Sequence, residues 1–171
     1  MHLLDLSNPV NPSETSRYGD FLYIHDVYVW NDTAIACAGS SQFYEMVNLT
    51  NKNNPQLISQ GLSLPGIYAH SGWMTEDKRY FIGCEESDVR DITIWDLQDR
   101  TSWDLIIPEW QMVNPAPGSF DPVHNVFVKG SFAHISYYGH GYVVLDISDP
   151  HSPQLVGNYV TNTTPVVLAG A

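Results

Sequence analysis

The chain has 171 residues, 43% of them hydrophobic, with ten tyrosines, six phenylalanines and five tryptophans. This composition excludes a disordered chain and favours β-strands. Seven basic against nineteen acidic residues give a formal charge of -12, which would repel a nucleic acid, and no apolar run approaches the roughly 20 residues of a membrane helix. We therefore expect neither a nucleic-acid partner nor a membrane span.

The predicted elements are short strands separated by turns, and they follow one another in repeating units. Residues 1–17 hold two strands, around the phrase HLLDLSNPVNPSET, and therefore amount to half of a unit. Three complete units follow, each with four strands, at residues 18–62, 63–117 and 118–161. Residues 162–171 are predicted to be a tail or linker.

Each complete unit opens with a histidine followed by a short polar residue, and these histidines are His25, His70 and His124. The strands HDVYVW and HNVFVK that begin there alternate and are rich in valine and aromatic residues. The third strand of each unit ends at an Asn or Asp, before a turn rich in Asn, Asp and Pro. These closing positions recur every 43 to 50 residues: Asp5, Asn48, Asp96 and Asp146.

A period of roughly 40 to 50 residues with four short strands is typical of β-propeller blades. We therefore predict an all-β fold of four-stranded antiparallel blades arranged as in a β-propeller. Three and a half blades do not close a ring, since propellers typically have about four to eight blades. The expected partners are therefore further blades of a longer chain, or other copies of this chain.

The longest predicted connection is PEWQMVNPAPGSFDP, residues 108–122. It contains Trp110, Met112 and Phe120, and aromatic and methionine side chains are enriched at protein interfaces. Two interpretations remain open for these side chains. They either contact a partner or a carbohydrate, or pack within the blades.

Three strings, DISDPHSPQLVG, HNVFVKGSFAHISYY and YAHSGWMTEDKRYFIGCEE, resemble bacterial surface proteins with LVIVD repeats, in particular the choice-of-anchor B family. The resemblance covers about residues 18–160 and is most specific in the third complete unit. It implies a secreted or surface-anchored β-propeller, usually on a longer chain, without a defined biochemical activity. The chain departs from the family in its length and in Asn48, where the family pattern prefers Asp.

The histidines that open the units allow two interpretations. First strands line the channel of a propeller, where His25, His70 and His124 would bind a transition metal through neutral imidazoles. Strand alternation instead puts His124 on the same face as Val126 and Val128, and His25 on the same face as Val27 and Val29, against a neighbouring blade. Glu85 and Glu86, at the end of a buried strand, are candidate ligands for calcium, which prefers oxygen.

Two further features concern the compartment in which the protein resides. Cys37 and Cys84 occupy matching positions of successive units, and they could form a disulfide in an oxidising compartment or remain two buried free thiols. Three sequons begin at Asn31, Asn48 and Asn162. A sequon marks glycosylation only in a secreted or surface protein.

No catalytic motif accompanies the strands: the sequence contains no GxSxG elbow, no P-loop and no GxGxxG. We therefore expect a non-enzymatic, extracellular or cell-surface propeller module with a structural, adhesive or assembly role. The alternative is a metal-dependent enzyme or metal-binding protein that uses the histidines in the central channel.

Overall fold

A computed structural model describes residues 1–20, 22–87, 90–112 and 121–160. These residues form fourteen β-strands and no helix, which confirms the predicted all-β fold. None of them belongs to a helix that could cross a membrane.

The strands form one two-stranded sheet and three four-stranded sheets, all antiparallel. The two-stranded sheet, called here the half-blade, contains β1 (His2–Asp5) and β2 (Ser13–Arg17). The first blade contains β3 (Asp26–Trp30), β4 (Thr33–Cys37), β5 (Tyr44–Asn48) and β6 (Gln56–Gln60). The second blade contains β7 (Ala69–Met74), β8 (Tyr80–Glu85), β9 (Ile92–Asp96) and β10 (Asp104–Trp110). The third blade contains β11 (Val123–Lys129), β12 (Phe132–Tyr137), β13 (Gly141–Asp146) and β14 (Gln154–Tyr159).

Within each blade every strand pairs with the next strand of the chain, as in a propeller. The first strands lie on the inside of the array, where β7 contacts both β3 and β11. The fourth strands, β6, β10 and β14, form the outer edges of their sheets. The blades are therefore arranged side by side around their first strands, and the ring that they begin is not closed.

The turn after the third strand is built in the same way in the half-blade and in all three blades. The closing Asn or Asp accepts a hydrogen bond on Oδ1 from the backbone N–H two residues later, at 2.8 to 2.9 Å. The four pairs are Asp5–Ser7, Asn48–Thr50, Asp96–Gln98 and Asp146–Ser148. Asn48 replaces the aspartate without loss, because the hydrogen bond uses an oxygen that both side chains carry.

Apolar side chains fill the spaces between successive sheets. Met1 and Leu3 of the half-blade region pack against the core of the first blade around Ala36 and Val47. Large aromatic side chains fill the space between the first and second blades, among them Tyr44, Phe81 and Trp95. Aliphatic side chains predominate between the second and third blades: Ile82, Ile92, Ile94, Val126, Ile135, Val143 and Leu145.

The two cysteines are free, buried thiols, so the disulfide that the sequence allowed is not formed. Cys37 belongs to the core between the first and second blades, whereas Cys84 belongs to the core between the second and third blades. Each cysteine therefore points from its own blade towards the next blade in the chain. The sheet of the second blade lies between the two sulfurs.

The fourth strand of the second blade extends into the segment predicted to be a connection. Pro108 and Trp110 belong to β10, whose register with β9 is interrupted twice. Proline is tolerated there because β10 is an edge strand, in which some N–H groups have no ladder partner. The Pro108 carbonyl accepts a hydrogen bond from Arg90 at 2.6 Å.

Candidate functional site

A β-bulge at the start of the first strand distinguishes the second and third blades. The pairing of β7 with β8 skips His70, between Ala69 and Ser71, and the pairing of β11 with β12 skips His124, between Val123 and Asn125. A bulge leaves one residue unpaired and redirects its side chain. The face assignment based on strand alternation is therefore wrong for His124, because the alternation is interrupted at the histidine itself.

The three histidines lie next to one another at the inner ends of the blades. The ring centroids of His25 and His70 are 4.2 Å apart, and those of His70 and His124 are 4.5 Å apart. His25 precedes β3 and its Nδ1 lies 3.2 Å from the backbone oxygen of His70. The structure thus brings together the three residues that the repeat pattern singled out, on the inner side of the blades.

Glu86 completes a group of potential metal ligands with two of the histidines. It follows β8, and its Oε2 lies 3.4 Å from Nε2 of His70. One ligand atom each of His70, Glu86 and His124 lies within 4.8 Å of the other two. Tyr138 donates a hydrogen bond of 2.7 Å to Oε1 of Glu86, which fixes the orientation of the carboxylate.

The protonation of this group follows from its surroundings. His70 is 5% exposed, and burial, the largest effect, lowers its pKa below the ordinary value. The neighbouring Glu86 carboxylate acts in the opposite direction on that pKa, and His25 and His124 add to the lowering. The hydrogen bond to Glu86, together with partial burial, raises the pKa of Tyr138 to about 12. His70 therefore presents a neutral imidazole at neutral pH, which is the form that binds metals.

An open cavity of about 470 Å³ lies over the histidines. Its lining includes all members of the group and the polar residues next to two of the histidines: His25, Asp26, His70, Glu86, His124, Asn125 and Tyr138. The site is therefore accessible from solvent on one side and closed by the inner strands on the other.

Glu85 lies apart from this group, although it is adjacent to Glu86. It has no exposed surface, and its Oε1 accepts hydrogen bonds from Tyr44 at 2.9 Å and Thr93 at 2.7 Å. Burial raises the pKa of Glu85 to about 7. Because adjacent residues at a strand end point to opposite sides, Glu85 is part of the core and Glu86 lines the open cavity.

The remaining candidates from the sequence are scattered. Trp110 and Met112 are half-buried and pack against the core between the second and third blades, and Phe120 lies outside the described residues. The sequon residues Asn31 and Asn48 are exposed, and Asn162 lies outside the described residues.

Sequence reasoning missed Tyr138 and the pair formed by Asp121 and His140. β12 ends at Tyr137, and the next residue, Tyr138, reaches Glu86. Nε2 of His140 lies 3.0 Å from Oδ2 of Asp121, and both side chains are largely buried. Tyr138 and His140 lie in the turn between β12 and β13, and the sequence pattern of that turn does not identify the partner of either side chain.

A second distinctive surface is the side of the third blade that faces away from the second blade, called here the open face. In the first blade the row Tyr28–Ile35–Met46 crosses the sheet and is buried against the second blade. The row Phe127–His134–Val144 crosses the third blade in the same register.

Tyr44 and Tyr142 also occupy equivalent positions, since Tyr44 pairs with Cys37 of β4 and Tyr142 pairs with Ser136 of β12. Tyr44 is fully buried in the first blade, whereas Tyr142 is 43% exposed in the third. Phe127 is likewise 54% exposed, against 8% for Tyr28. The open face therefore carries aromatic side chains at positions that are interior in the first blade.

Comparisons with known proteins agree with this architecture. Residues 122–161, which contain the whole third blade, match the LVIVD repeat. No curated protein matches the sequence. A protein of known structure from Lactobacillus plantarum is 13% identical with a TM-score of 0.68, over 94% of this chain and 51% of that protein.

A functionally unknown protein from Desulfotomaculum acetoxidans is 11% identical with a TM-score of 0.47, over 87% of this chain and 60% of that protein. The chain thus spans about half the length of the Lactobacillus plantarum protein, and at such identity the likeness concerns the fold alone. The third blade is similar to LVIVD repeats, and the chain has a propeller-like fold of repeated four-stranded blades.

Proposed function

We propose that the chain is a non-enzymatic, extracellular or cell-surface module with a structural, adhesive or assembly role, and that its open face binds a further propeller blade. The observation that supports this proposal is the exposure of Phe127 and Tyr142 at positions that are buried in the first blade. Exposed apolar patches of this kind are typical of interaction surfaces.

The occupant is inferred from continuity with the two interfaces between complete blades that the chain already contains. In the third blade, the side facing the second blade carries small and branched residues, among them Ala133, Ile135 and Leu145. An equivalent side on a further blade has the shape and chemistry to cover the open face in the same way. That blade belongs either to a longer polypeptide or to another copy of the chain, and the experiment below separates these sources.

The test is the mass of the 171-residue chain in solution as a function of concentration, by light scattering after size-exclusion chromatography. We expect species that are multiples of 19.2 kDa if copies supply the blade, and Tyr142→Asp should shift them towards the monomer. Val10→Asp is the matched control, because Val10 is 92% exposed in the half-blade turn, away from the open face.

A concentration-independent monomer would leave a longer polypeptide as the source. The protein isolated from its own cells should then have a larger mass, and Tyr142→Asp in that polypeptide should lower its melting temperature more than Val10→Asp does. A folded 19.2 kDa monomer from those cells would refute the proposal. If the monomer bound to glycans on an array and Tyr142→Asp abolished this binding, the open face would be a carbohydrate-binding surface. That result would equally refute the proposal that a further blade covers it.

The extracellular location is supported by the exposure of two sequon asparagines, Asn31 and Asn48. Enzymatic removal of N-glycans from the native protein should lower its mass. Asn48→Asp is a suitable variant, since it removes one sequon and keeps the Oδ1 acceptor that the other repeats provide with aspartate. An unmodified protein in the cytosolic fraction would refute the location without affecting the assembly test.

A further inference from the structure

We propose that His70, His124 and Glu86 bind one divalent transition-metal ion, of which Zn²⁺ is the reference case, at the inner ends of the second and third blades. The ion would join His70 of β7 and Glu86 after β8 to His124 of β11, and so link the two blades. Its remaining coordination position would face the open cavity of about 470 Å³.

The distances fit this coordination. With zinc–nitrogen and zinc–oxygen bonds of about 2.0 to 2.1 Å, two ligand atoms of a tetrahedral site lie about 3.3 Å apart. Nε2 of His70 and Oε2 of Glu86 are already 3.4 Å apart, and no pair of ligand atoms in the group exceeds 4.8 Å. The imidazole of His124 is only half-buried, and coordination would require a small rotation of this side chain.

The chemistry of the ligands selects the class of ion. Two imidazoles and one carboxylate form a set that is common for zinc with an open position, and imidazole also suits iron, copper and nickel. Calcium takes about six to eight oxygen ligands, whereas Glu86 is the only carboxylate in this group. The site therefore favours a transition metal over the calcium ion considered from the sequence.

The surrounding residues supply two features of a built site. Glu86 is oriented by Tyr138, as metal-binding carboxylates are usually held by a further hydrogen bond. His70 is 5% exposed, so the packing around it holds its ring in place, with Nε2 3.4 Å from Glu86 Oε2. The pair formed by Asp121 and His140 lacks a third ligand within the described part of the chain, which is why we assign the metal to the group of His70, Glu86 and His124.

The metal-free chain is first titrated with Co²⁺ while its visible absorption spectrum is recorded. Zn²⁺ is then added to displace the Co²⁺, and Zn²⁺ binding is also measured directly by calorimetry. Tetrahedral Co²⁺ absorbs far more strongly than the hydrated ion, so the spectrum reports coordination geometry as well as binding. The variants are Glu86→Gln and His124→Asn, with His151→Ala as control because His151 is exposed in a distant turn. Neither variant alters a fully buried side chain, unlike His70→Ala, and circular dichroism verifies their folding.

We expect one ion per chain, at least tenfold weaker binding in both variants, and unchanged binding in the control. Tyr138→Phe should weaken binding by about tenfold, the effect typical of losing an outer hydrogen bond, and should alter the Co²⁺ spectrum while leaving the fold intact. Absence of stoichiometric binding would overturn the proposal. So would binding that both Glu86→Gln and His124→Asn leave unchanged. Neither result depends on the assembly measured above.

Discussion

The buried carboxyl of Glu85 makes a quantitative prediction about stability and pH. Glu85 has no exposed surface, and its Oε2 has no hydrogen-bond partner among the described residues. Its Oε1 accepts from Tyr44 and Thr93, and Thr93 in turn accepts from the Trp95 indole at 2.9 Å. Replacement by Gln keeps an oxygen for these donors and removes the ionisable group.

The sign and size of the effect follow from the shift in pKa. Burial raises the pKa of Glu85 from 4.5 to about 7 in the folded protein. Between these values the folded state keeps the proton that the unfolded state releases, so the free energy of unfolding falls as pH rises. The stabilising contribution is complete below pH 4.5, is lost progressively up to about pH 7, and then stays constant. A shift of this size corresponds to about 3 kcal/mol.

The assay is urea unfolding of the wild type and of Glu85→Gln at pH 5, 6, 7 and 8, at one protein concentration and with two spectroscopic probes. The wild type should lose about 2 to 3 kcal/mol relative to the variant between pH 5 and pH 8. Glu14→Gln is the exposed control. Arg17, with a smaller effect of His2, holds the pKa of Glu14 below its ordinary value of 4.5, so that carboxyl is ionised in the folded protein and mostly ionised in the unfolded chain from pH 5 upwards.

A difference between the wild type and Glu85→Gln that stays constant from pH 5 to pH 8 would refute the reasoning. It would mean that Glu85 remains ionised in the folded protein, and hence that the space around its Oε2 admits water. A pH dependence that Glu14→Gln abolished would equally contradict the assignment of the effect to Glu85.

Two further predictions test the packing of the blades. Gly83→Ala should lower the free energy of unfolding by about 1 to 3 kcal/mol, because the new methyl would lie 2.6 Å from the Tyr44 oxygen and 2.7 Å from Thr93 Oγ1. Gly157→Ala, whose nearest neighbours lie at 3.6 Å, should leave stability nearly unchanged, and equal urea midpoints for both variants would contradict this account. Cys37 and Cys84 are fully buried, and burial raises the pKa of both thiols, so a thiol reagent should label neither in the native protein and both after unfolding. Rapid native labelling, or no labelling after unfolding, would show that the free buried thiols are assigned wrongly.

The repeat and its turns are predictable from sequence because both depend on local chemistry. An Asn or Asp that closes a strand needs only its own oxygen and a backbone N–H two residues later, as Asp5 and Asp146 show. The position of each blade in the sequence follows from these closing residues and turns. The face on which a histidine lies does not follow, because a single unpaired residue at His70 or His124 reverses the alternation.

Glu85 and Glu86 likewise show which features local sequence determines and which depend on the packing of the blades. Their adjacency at a strand end indicates that one points inward and one outward, but sequence does not say which. The answer depends on Tyr44 of the preceding blade and Tyr138 of the following blade, which supply hydrogen bonds to Glu85 and Glu86 respectively. Both tyrosines lie more than 40 residues away in the chain, and only the packing of blades side by side brings them there.

The proposed metal site and the open face share one strand, β11, and this connects assembly with the site. His124 lies at the bulge of β11, and Phe127 lies three residues later on the open face. A further blade on that face would place its own first strand beside β11, as β11 lies beside β7 and β7 lies beside β3. The first strand of that further blade would then lie next to His124, the last histidine of the row, which is now half-buried. Because an ion bound by His124 and a blade packed on Phe127 both restrict β11, each would favour binding of the other.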